Sequence, residues 1–148
     1  MQTFLPYKSF TRSAKCLDYR RLGKQRVECY QILQSLLGET TTKGWKNHPA
    51  VKQWKGYENI LVCYTLNICD EWTSRGYKDT VKNKVINLAI KYKLNERKAI
   101  IPPWLGNEKY HSSHRSNLLR KDSQFYSQYG WSEPSTLEYY WPSDYFPH

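Results

Sequence analysis

Several cations lie between two carboxylates, Asp18 and Glu28, in residues 18–28, which read DYRRLGKQRVE. On an α-helix, positions separated by three, four, seven or ten residues return to the same side. That side would carry Arg21, Lys24, Gln25, Glu28 and Gln31. Cations in such a cluster can hold phosphates while the carboxylate works at a sugar. An ordinary Lys24–Glu28 salt bridge, worth ~0.3 kcal/mol on a solvated helix face, explains the spacing equally well, and on spacing alone it is the better interpretation.

A second polar and basic cluster occupies residues 111–121, which read HSSHRSNLLRK. His111 and His114 can share one helix face, but no nearby third Cys or acidic ligand completes a zinc site, so we expect no metal here. Contacts to phosphates are the better interpretation of the cluster. We predict them for His111, His114, Arg115, Asn117, Arg120 and Lys121. His48, which precedes Pro49, is interpreted as a capping residue and not as a catalyst.

The last residues are rich in aromatic side chains. Tyr139-Tyr140-Trp141-Pro142 and Tyr145-Phe146 could stack on exposed bases or wedge into a groove. Packing against the hydrophobic core explains the same residues at least as well. Both interpretations predict an irregular tail that is held in place by its rings.

Charge sets the class of partner. Twenty-three Lys and Arg against thirteen Asp and Glu give a net charge of +10, and 16% of the residues are aromatic. A basic chain with many rings is suited to a polyanion whose bases can be stacked. The longest apolar run, from Ile60 to Tyr64, is far shorter than the ~20 residues that span a bilayer. We therefore expect a cytoplasmic protein, associated with nucleoid or viral DNA, without a membrane partner.

Helical periodicity places these clusters on helices. The first helix is predicted from about Ser13 to Leu37, ended by Gly38. A second helix is predicted to begin with Asn47 as its cap and to be interrupted near Gly56. It continues as an apolar stripe that comprises Tyr57, Leu61, Tyr64, Ile68 and Trp72, and it ends at Arg75 and Gly76.

Two further helices follow. One is predicted from Lys82 to Tyr92, and Pro102-Pro103 excludes helix after it. Ser112 or Ser113 is predicted to cap the last helix, which runs through Lys121. Because no alternating strand pattern occurs, we predict an all-α fold. The chain should form a single compact domain, residues 1–148, with an irregular aromatic C-terminal tail.

Several of these motifs together resemble one family. The order of Leu22–Glu28, then His48-Pro49, then Tyr57 through Arg75-Gly76-Tyr77 resembles the pyrimidine-dimer DNA glycosylases of the phage endonuclease V type. The resemblance extends more loosely to the basic segment near His111 and to Tyr139-Tyr140-Trp141. It therefore spans most of the chain.

The resemblance implies a fold and a chemistry. It implies a helical domain whose N-terminus threads into the core, with no metal or organic cofactor. The α-amine of the first residue attacks C1′ of the damaged nucleotide, the base leaves, and an imine forms from which β-elimination can cut the strand. An α-amine ordinarily titrates at ~7.7–8.0, so part of it is neutral near physiological pH, whereas a lysine at ~10.4 needs strong desolvation.

The resemblance also assigns residues. In the family a leucine precedes the catalytic glutamate by six positions, and Leu22 and Glu28 have this spacing. Asp18 and Lys24 are the reserve catalytic candidates. Because residue 2 is Gln, and initiator Met is normally removed only before small residues, the amine is expected to belong to Met1. We predict that Arg20, Arg21, Lys24 and Arg26 grip the bent strand.

Three functions remain open at this point. The first is a monomeric DNA glycosylase with abasic-site lyase activity that acts on double-stranded DNA containing a damaged or modified base. The second is a non-catalytic nucleic-acid-binding protein on the same scaffold. The third is a related enzyme that acts on RNA or on hypermodified bases.

Overall fold

A computed structural model describes residues 1–39 and 47–141, and in these two ranges the chain forms helices and no β-strand. The α-helices are α1 (Phe10–Cys16), α2 (Tyr19–Leu37), α3 (Pro49–Lys52), α4 (Glu58–Ser74), α5 (Lys82–Lys91), α6 (Glu108–Lys121) and α7 (Ser123–Tyr126). Short 3₁₀ turns follow α5 and α7, at Leu94–Glu96 and Ser127–Tyr129. The predicted all-α fold is confirmed.

The first predicted helix is in fact two helices. Leu17 adopts an extended conformation and is fully buried, which breaks the helix that we predicted from Ser13 to Leu37. Asp18 then begins α2, because its side chain accepts a hydrogen bond from the Arg21 backbone nitrogen at 3.4 Å. Gly38 ends α2 in the left-handed conformation, as predicted.

Helices α2 and α4 form the centre of the molecule, with α1 and α5 packed against α4. Their apolar stripes meet, and Ile32, Leu33, Leu61 and Ile68 are fully buried between them. The stripe predicted for α4 is confirmed, and so is the interruption near Gly56, which separates α3 from α4. None of the helices in the part of the chain that the structure describes is long and apolar enough to cross a membrane.

The caps of two helices differ from the prediction. His48, and not Asn47, caps α3, because its Nδ1 atom accepts a hydrogen bond from the Ala50 backbone nitrogen at 3.0 Å. Asn107 caps α6, which therefore begins several residues before Ser112 and Ser113. The hydroxyl of Ser113 instead donates to the Tyr110 carbonyl oxygen at 2.7 Å, a contact inside the helix.

The tail after residue 130 is irregular and lies on the core, as predicted. Trp131 stacks on Tyr129, with ring centroids 5.3 Å apart, and Tyr139 and Tyr140 are half-buried against the core. Hydrogen bonds from the tail backbone to side chains of α6 hold the tail in place: the Tyr140 nitrogen donates to the Ser113 hydroxyl oxygen at 3.1 Å. Pro142, Tyr145 and Phe146 lie outside the described residues.

Gly23 allows α2 and α4 to approach closely. A Cβ atom at this position would lie 2.8 Å from the Cη2 atom of Trp72. The indole cannot easily move aside, since its Nε1 donates to the Lys78 carbonyl oxygen at 2.9 Å and its ring stacks on Tyr77 at 4.2 Å. The glycine therefore serves packing, although it is unfavourable for helix formation.

Replacing Gly23 with Ala should lower the free energy of unfolding. The substitution gains ~1 kcal/mol of helix propensity, but overpacking against a fixed ring costs ~1–3 kcal/mol. Urea unfolding of Gly23→Ala measures the balance. In a Trp72→Phe background, where the outer indole atoms are absent, the same substitution should be neutral or stabilising. Equal effects in both backgrounds would show that the indole does not require the glycine.

Candidate active site

The first residues of the chain run through the core as an extended segment. Gln2, Thr3 and Leu5 are at most 3% exposed, and Met1 at the end of the segment is half-buried. No strand lies beside this segment among the described residues. Its buried N–H and C=O groups therefore need side chains as hydrogen-bond partners.

Gln25 of α2 supplies two of these hydrogen bonds. Its Nε2 atom donates to the Gln2 carbonyl oxygen at 2.7 Å, and its Oε1 atom accepts from the Phe4 backbone nitrogen at 2.8 Å. The Tyr64 hydroxyl of α4 donates to the Phe4 carbonyl oxygen at 2.5 Å. Helices α2 and α4 thus hold both sides of residues 2–4.

The region around α3 holds the side chain of Thr3. The indole Nε1 of Trp54 and the Nε2 of Gln53 each lie 3.0 Å from the Thr3 hydroxyl oxygen and donate to it. The Gln2 side-chain oxygen accepts a hydrogen bond from the Thr3 backbone nitrogen at 2.9 Å. These contacts fix the path of the chain immediately after Met1.

Helix α6 holds Leu5 through two histidines. The Leu5 backbone nitrogen donates to Nδ1 of His114 at 2.9 Å, and Nδ1 of His111 lies 2.8 Å from the Leu5 carbonyl oxygen. The rings are 0% and 3% exposed respectively, so neither reaches a phosphate. The structure corrects the prediction that these histidines bind DNA, because both contact the N-terminal segment.

The N-terminal segment ends at a cavity of about 680 Å³ that Met1 and Gln2 line together with α2. Carboxylates from Asp18, Glu28 and Asp122 lie on its wall. Aromatic rings form another part of the wall, and these belong to Phe4, Tyr19, Phe125 and Tyr139. The cavity wall thus combines the first residue of the chain with acidic groups and rings.

Glu28 is the carboxylate next to the N-terminal segment. Its Oε2 atom accepts from the Gln2 backbone nitrogen at 3.4 Å, and its Oε1 atom lies 3.6 Å from Nζ of Lys24. The Glu28 side chain is 14% exposed, whereas the Lys24 side chain is 76% exposed. Lys24 therefore lacks the burial that a lysine nucleophile requires.

The charges of the Met1 amine and of Glu28 both act on His48. Burial lowers the pKa of His48, and the positive charge of the Met1 amine lowers it further, whereas Glu28 acts to raise it. Both charges thus act on the same half-buried imidazole. The ring itself is held by its hydrogen bond to Ala50 at the start of α3.

Asp18, the reserve carboxylate, is occupied by other contacts. Tyr126 donates its hydroxyl to the Asp18 carboxylate at 2.5 Å, and the Arg21 guanidinium lies 3.2 Å away. Burial raises the pKa of Asp18, but the hydrogen bonds from Tyr126 and Arg21 outweigh it, so the pKa lies below its ordinary value. This carboxylate caps α2 and ties it to α7.

Four of the cations that we predicted to contact phosphates line the cavity. Arg20, Arg21 and Lys24 come from the first two turns of α2, and Lys121 comes from the end of α6. Burial lowers the pKa of Lys121, and the charges of Arg21 and Arg120 lower it further. Such a concentration of positive charge attracts a phosphate backbone.

Arg26 was predicted to belong to this surface and does not. Its guanidinium forms an ion pair with Asp79 and lies 4.5 Å above the Trp72 ring. The side chain is 13% exposed. Arg26 therefore joins α2 to the loop before α5, and the structure corrects its assignment to the DNA surface.

Three further predicted DNA contacts are engaged within the protein. Arg115 binds Glu133 at 2.8 Å and also pairs with Glu108, and it donates to the Pro6 carbonyl oxygen at 2.7 Å. Asn117 is 1% exposed. Arg120 is exposed but donates to Asn117 and to the Leu137 carbonyl oxygen. The structure thus corrects the assignments of Arg115 and Asn117, whereas Arg120 stays a predicted contact.

Sequence reasoning missed the residues that position Met1 and several that line the cavity. Gln25 was placed on the correct face of α2 without a role, and Gln53 was not considered. Phe4, Phe125 and Asp122 were also overlooked. A buried amide needs partners, but the sequence, which places Gln25 among charged residues, shows neither that it is buried nor which partners it finds.

The comparison with known families agrees with this geometry. Residues 1–85 match the family model of the pyrimidine dimer DNA glycosylases, which is more than half of the 148 residues. The chain belongs to this family and is a DNA glycosylase. Searches of curated proteins and of solved structures found no match to the chain. The family match includes Met1, Glu28 and α1–α4, and it ends before α6.

Removing cations at the cavity should weaken the salt dependence of DNA binding. In duplex binding assays, the log–log slope with salt is about −0.9 per phosphate contacted. The double variant Arg20→Ala with Lys121→Ala should therefore flatten the slope by up to ~2. Lys84→Ala, an exposed lysine on α5 that does not line the cavity, is the control. A slope that is unchanged in the double variant, or equally flattened in the control, would contradict this surface.

Proposed function

We propose that this glycosylase releases a damaged or modified pyrimidine from double-stranded DNA by attack of the Met1 α-amine on C1′ of the nucleotide. The observation that carries the proposal is the shared cavity, in which Met1 ends a fixed segment and the backbone of its neighbour Gln2 lies 3.4 Å from Glu28. A small, rigid arrangement of amine and carboxylate supports nucleophilic catalysis.

The proposed step conserves atoms and charge as follows. The neutral amine forms a bond to C1′, and the bond from C1′ to the base breaks with its electron pair leaving on the base. The attached nitrogen loses a proton, the C1′–O4′ bond breaks with its electron pair leaving on O4′, which gains a proton, and the nitrogen lone pair forms the C1′–nitrogen double bond of a protonated imine. Glu28 stabilises the positive charge that develops at the sugar and accepts a proton.

The lyase step follows from the imine. The C2′ proton passes to solvent, the electron pair of the C2′–H bond forms the C2′–C3′ double bond, and the 3′ phosphate leaves with the pair of the C3′–O bond. The protonated imine withdraws electrons from C2′ and makes this proton removable. Strand cleavage therefore accompanies base release in this proposal, with no metal or organic cofactor.

The cavity wall supports an extruded nucleotide as the substrate. Chemistry at C1′ requires a base outside the stack, and aromatic side chains can hold such a base. Tyr19 is half exposed at the cavity, and Phe125 and Tyr139 are half-buried there.

Beside Glu28, Val27 is exposed and uncharged, so positive charge near the carboxylate comes from Arg21, Lys24 and Lys121.

Removing the charge of Glu28 should abolish most base release and preserve folding. Glu28→Gln keeps the size and the hydrogen-bond acceptor of the side chain but cannot stabilise a cationic sugar. Single-turnover base release should fall by about 10²–10³-fold. DNA binding should persist or become tighter, since a negative charge near the phosphates is lost.

Asp18→Asn is the matched control for this experiment. Asparagine retains the capping oxygen that α2 uses but removes the reserve carboxylate. We expect this variant to keep most of its activity. Normal base release in Glu28→Gln together with a large loss in Asp18→Asn would transfer the catalytic role to Asp18.

The nucleophile can be identified by trapping. Borohydride reduces an imine to a stable amine, so protein incubated with abasic duplex DNA should become covalently linked, and the linked peptide should contain Met1. An uncleaved N-terminal extension should abolish trapping, because it converts the amine to an amide. Lys24→Arg, which removes the competing amine and keeps the charge, should trap normally.

Other outcomes separate the alternatives. An adduct on Lys24 would overturn the N-terminal mechanism and keep the lyase. Folded protein that binds DNA and gives no adduct on any abasic or damaged substrate would favour a glycosylase that uses water, or the binding-only interpretation. Trapping on modified bases or RNA but not on dimer-containing DNA would redefine the substrate.

A further inference from the structure

The two histidines that hold Leu5 are in opposite protonation tautomers. His114 accepts the Leu5 N–H at Nδ1, so its neutral ring carries the proton on Nε2. His111 accepts the Gly106 N–H at Nε2, at 2.9 Å, so its neutral ring carries the proton on Nδ1 and donates it to the Leu5 carbonyl oxygen. Three backbone groups thus dictate where each ring keeps its single proton.

The two histidines make the hydrogen bonds to Leu5 that a neighbouring β-strand would otherwise make. The two rings lie one helical turn apart on α6 and face the same residue, one taking its N–H and the other giving to its C=O. Gln25 and Tyr64 hold Phe4 from the opposite helices. A shift of Leu5 along the direction of the extended segment would break the hydrogen bonds of both histidines. It would also displace every residue from Leu5 back to Met1.

We propose that His111 and His114 are positioning residues that set the register of the N-terminal segment, and thereby the position of the Met1 amine against Glu28, only while both rings are neutral. This inference rests on the proposed function for its catalytic consequence. It gives α6, which lies outside the family match, a role in positioning the N-terminal segment at the site. The histidines act through Leu5 and touch neither substrate nor the reacting atoms.

The surroundings keep both rings neutral. Burial lowers the pKa of His114 well below its ordinary value, and the charges of His111 and Arg115 lower it further. Burial also lowers the pKa of His111, where the Leu5 carbonyl and Glu108 act in the opposite direction and Arg115 and Lys8 lower it further. Because protonation is more favourable in the unfolded chain, the stabilisation by these rings is complete above their ordinary pKa and declines as the pH falls below it.

The test uses pairs of substitutions that keep or remove one hydrogen bond. In His114→Asn the side-chain oxygen can replace Nδ1 as acceptor for the Leu5 N–H, and the Nε2 atom that is lost has no partner in the described structure. His114→Leu has no acceptor. Single-turnover base release should fall by ~100-fold in the Leu variant, the effect of a displacement of about 1 Å, and DNA affinity should be unchanged. The Asn variant should recover at least ~10-fold of that loss.

Leu119→Ala is the matched stability control. It opens a cavity in the same helix, and no hydrogen bond joins Leu119 to the N-terminal segment among the described residues. Base release in this variant should match wild type at a temperature where urea unfolding shows all the variants to be folded. Wild-type base release in His114→Leu, no recovery in His114→Asn, or an equal loss in Leu119→Ala would overturn the positioning role.

The tautomers give an independent spectroscopic measurement. Nitrogen-15 NMR of the wild-type protein should show His114 protonated at Nε2 and His111 protonated at Nδ1 at neutral pH. The reverse assignment, or a charged ring at neutral pH, would overturn the inference even if the variants fail to fold. If wild type gives no imine, the proposed function fails, whereas the tautomers still decide whether the pair holds Leu5 as described.

Discussion

An extended segment inside a helical core creates a strict requirement, because its backbone N–H and C=O groups cannot remain unpaired away from water. A helix satisfies its own backbone groups and a strand uses its neighbour, but residues 2–5 have neither. Three helices meet the requirement with side chains: Gln25 from α2, Tyr64 from α4 and the histidine pair from α6. Gln53, at the end of α3, holds the Thr3 hydroxyl beside them. The arrangement of the helices around the segment, and the position of the residue at its end, both depend on these bonds.

This requirement also explains which parts of the site were accessible from the sequence. Charged residues with helical spacing placed Glu28, Lys24 and Arg21 on one face, and the resemblance brought Met1 to that face. The structure places all four at one cavity. Spacing patterns of this kind depend only on residues close in the sequence, so they can be recognised without knowledge of the fold. The apolar stripes of α2 and α4 were equally readable, because helix periodicity depends only on neighbouring turns.

The wrong predictions concern side chains whose partners lie far away in the sequence. His111, His114, Asn117, Arg115 and Arg26 were assigned to the surface because polar and charged side chains usually lie there. All five instead satisfy distant backbone or acidic groups, and the sequence does not reveal those partners: Leu5 for the histidines, Pro6 and Glu133 for Arg115, and Asp79 for Arg26. The break at Leu17 was missed for a related reason, since burial of one leucine in an extended conformation is decided by packing and not by propensity.

The contact between Leu5 and His114 joins residues 109 positions apart. During synthesis the N-terminal segment leaves the ribosome before α6 is made. Closing so large a loop costs chain entropy, which only the contacts of the remaining core can offset. The hydrogen bonds of Leu5 to α6 can therefore form only after that helix is present. A truncated polypeptide that carries Glu28 and α4 but lacks α6 also lacks the two histidines that pair the Leu5 N–H and C=O groups, so its N-terminal segment would keep only the hydrogen bonds from the earlier helices.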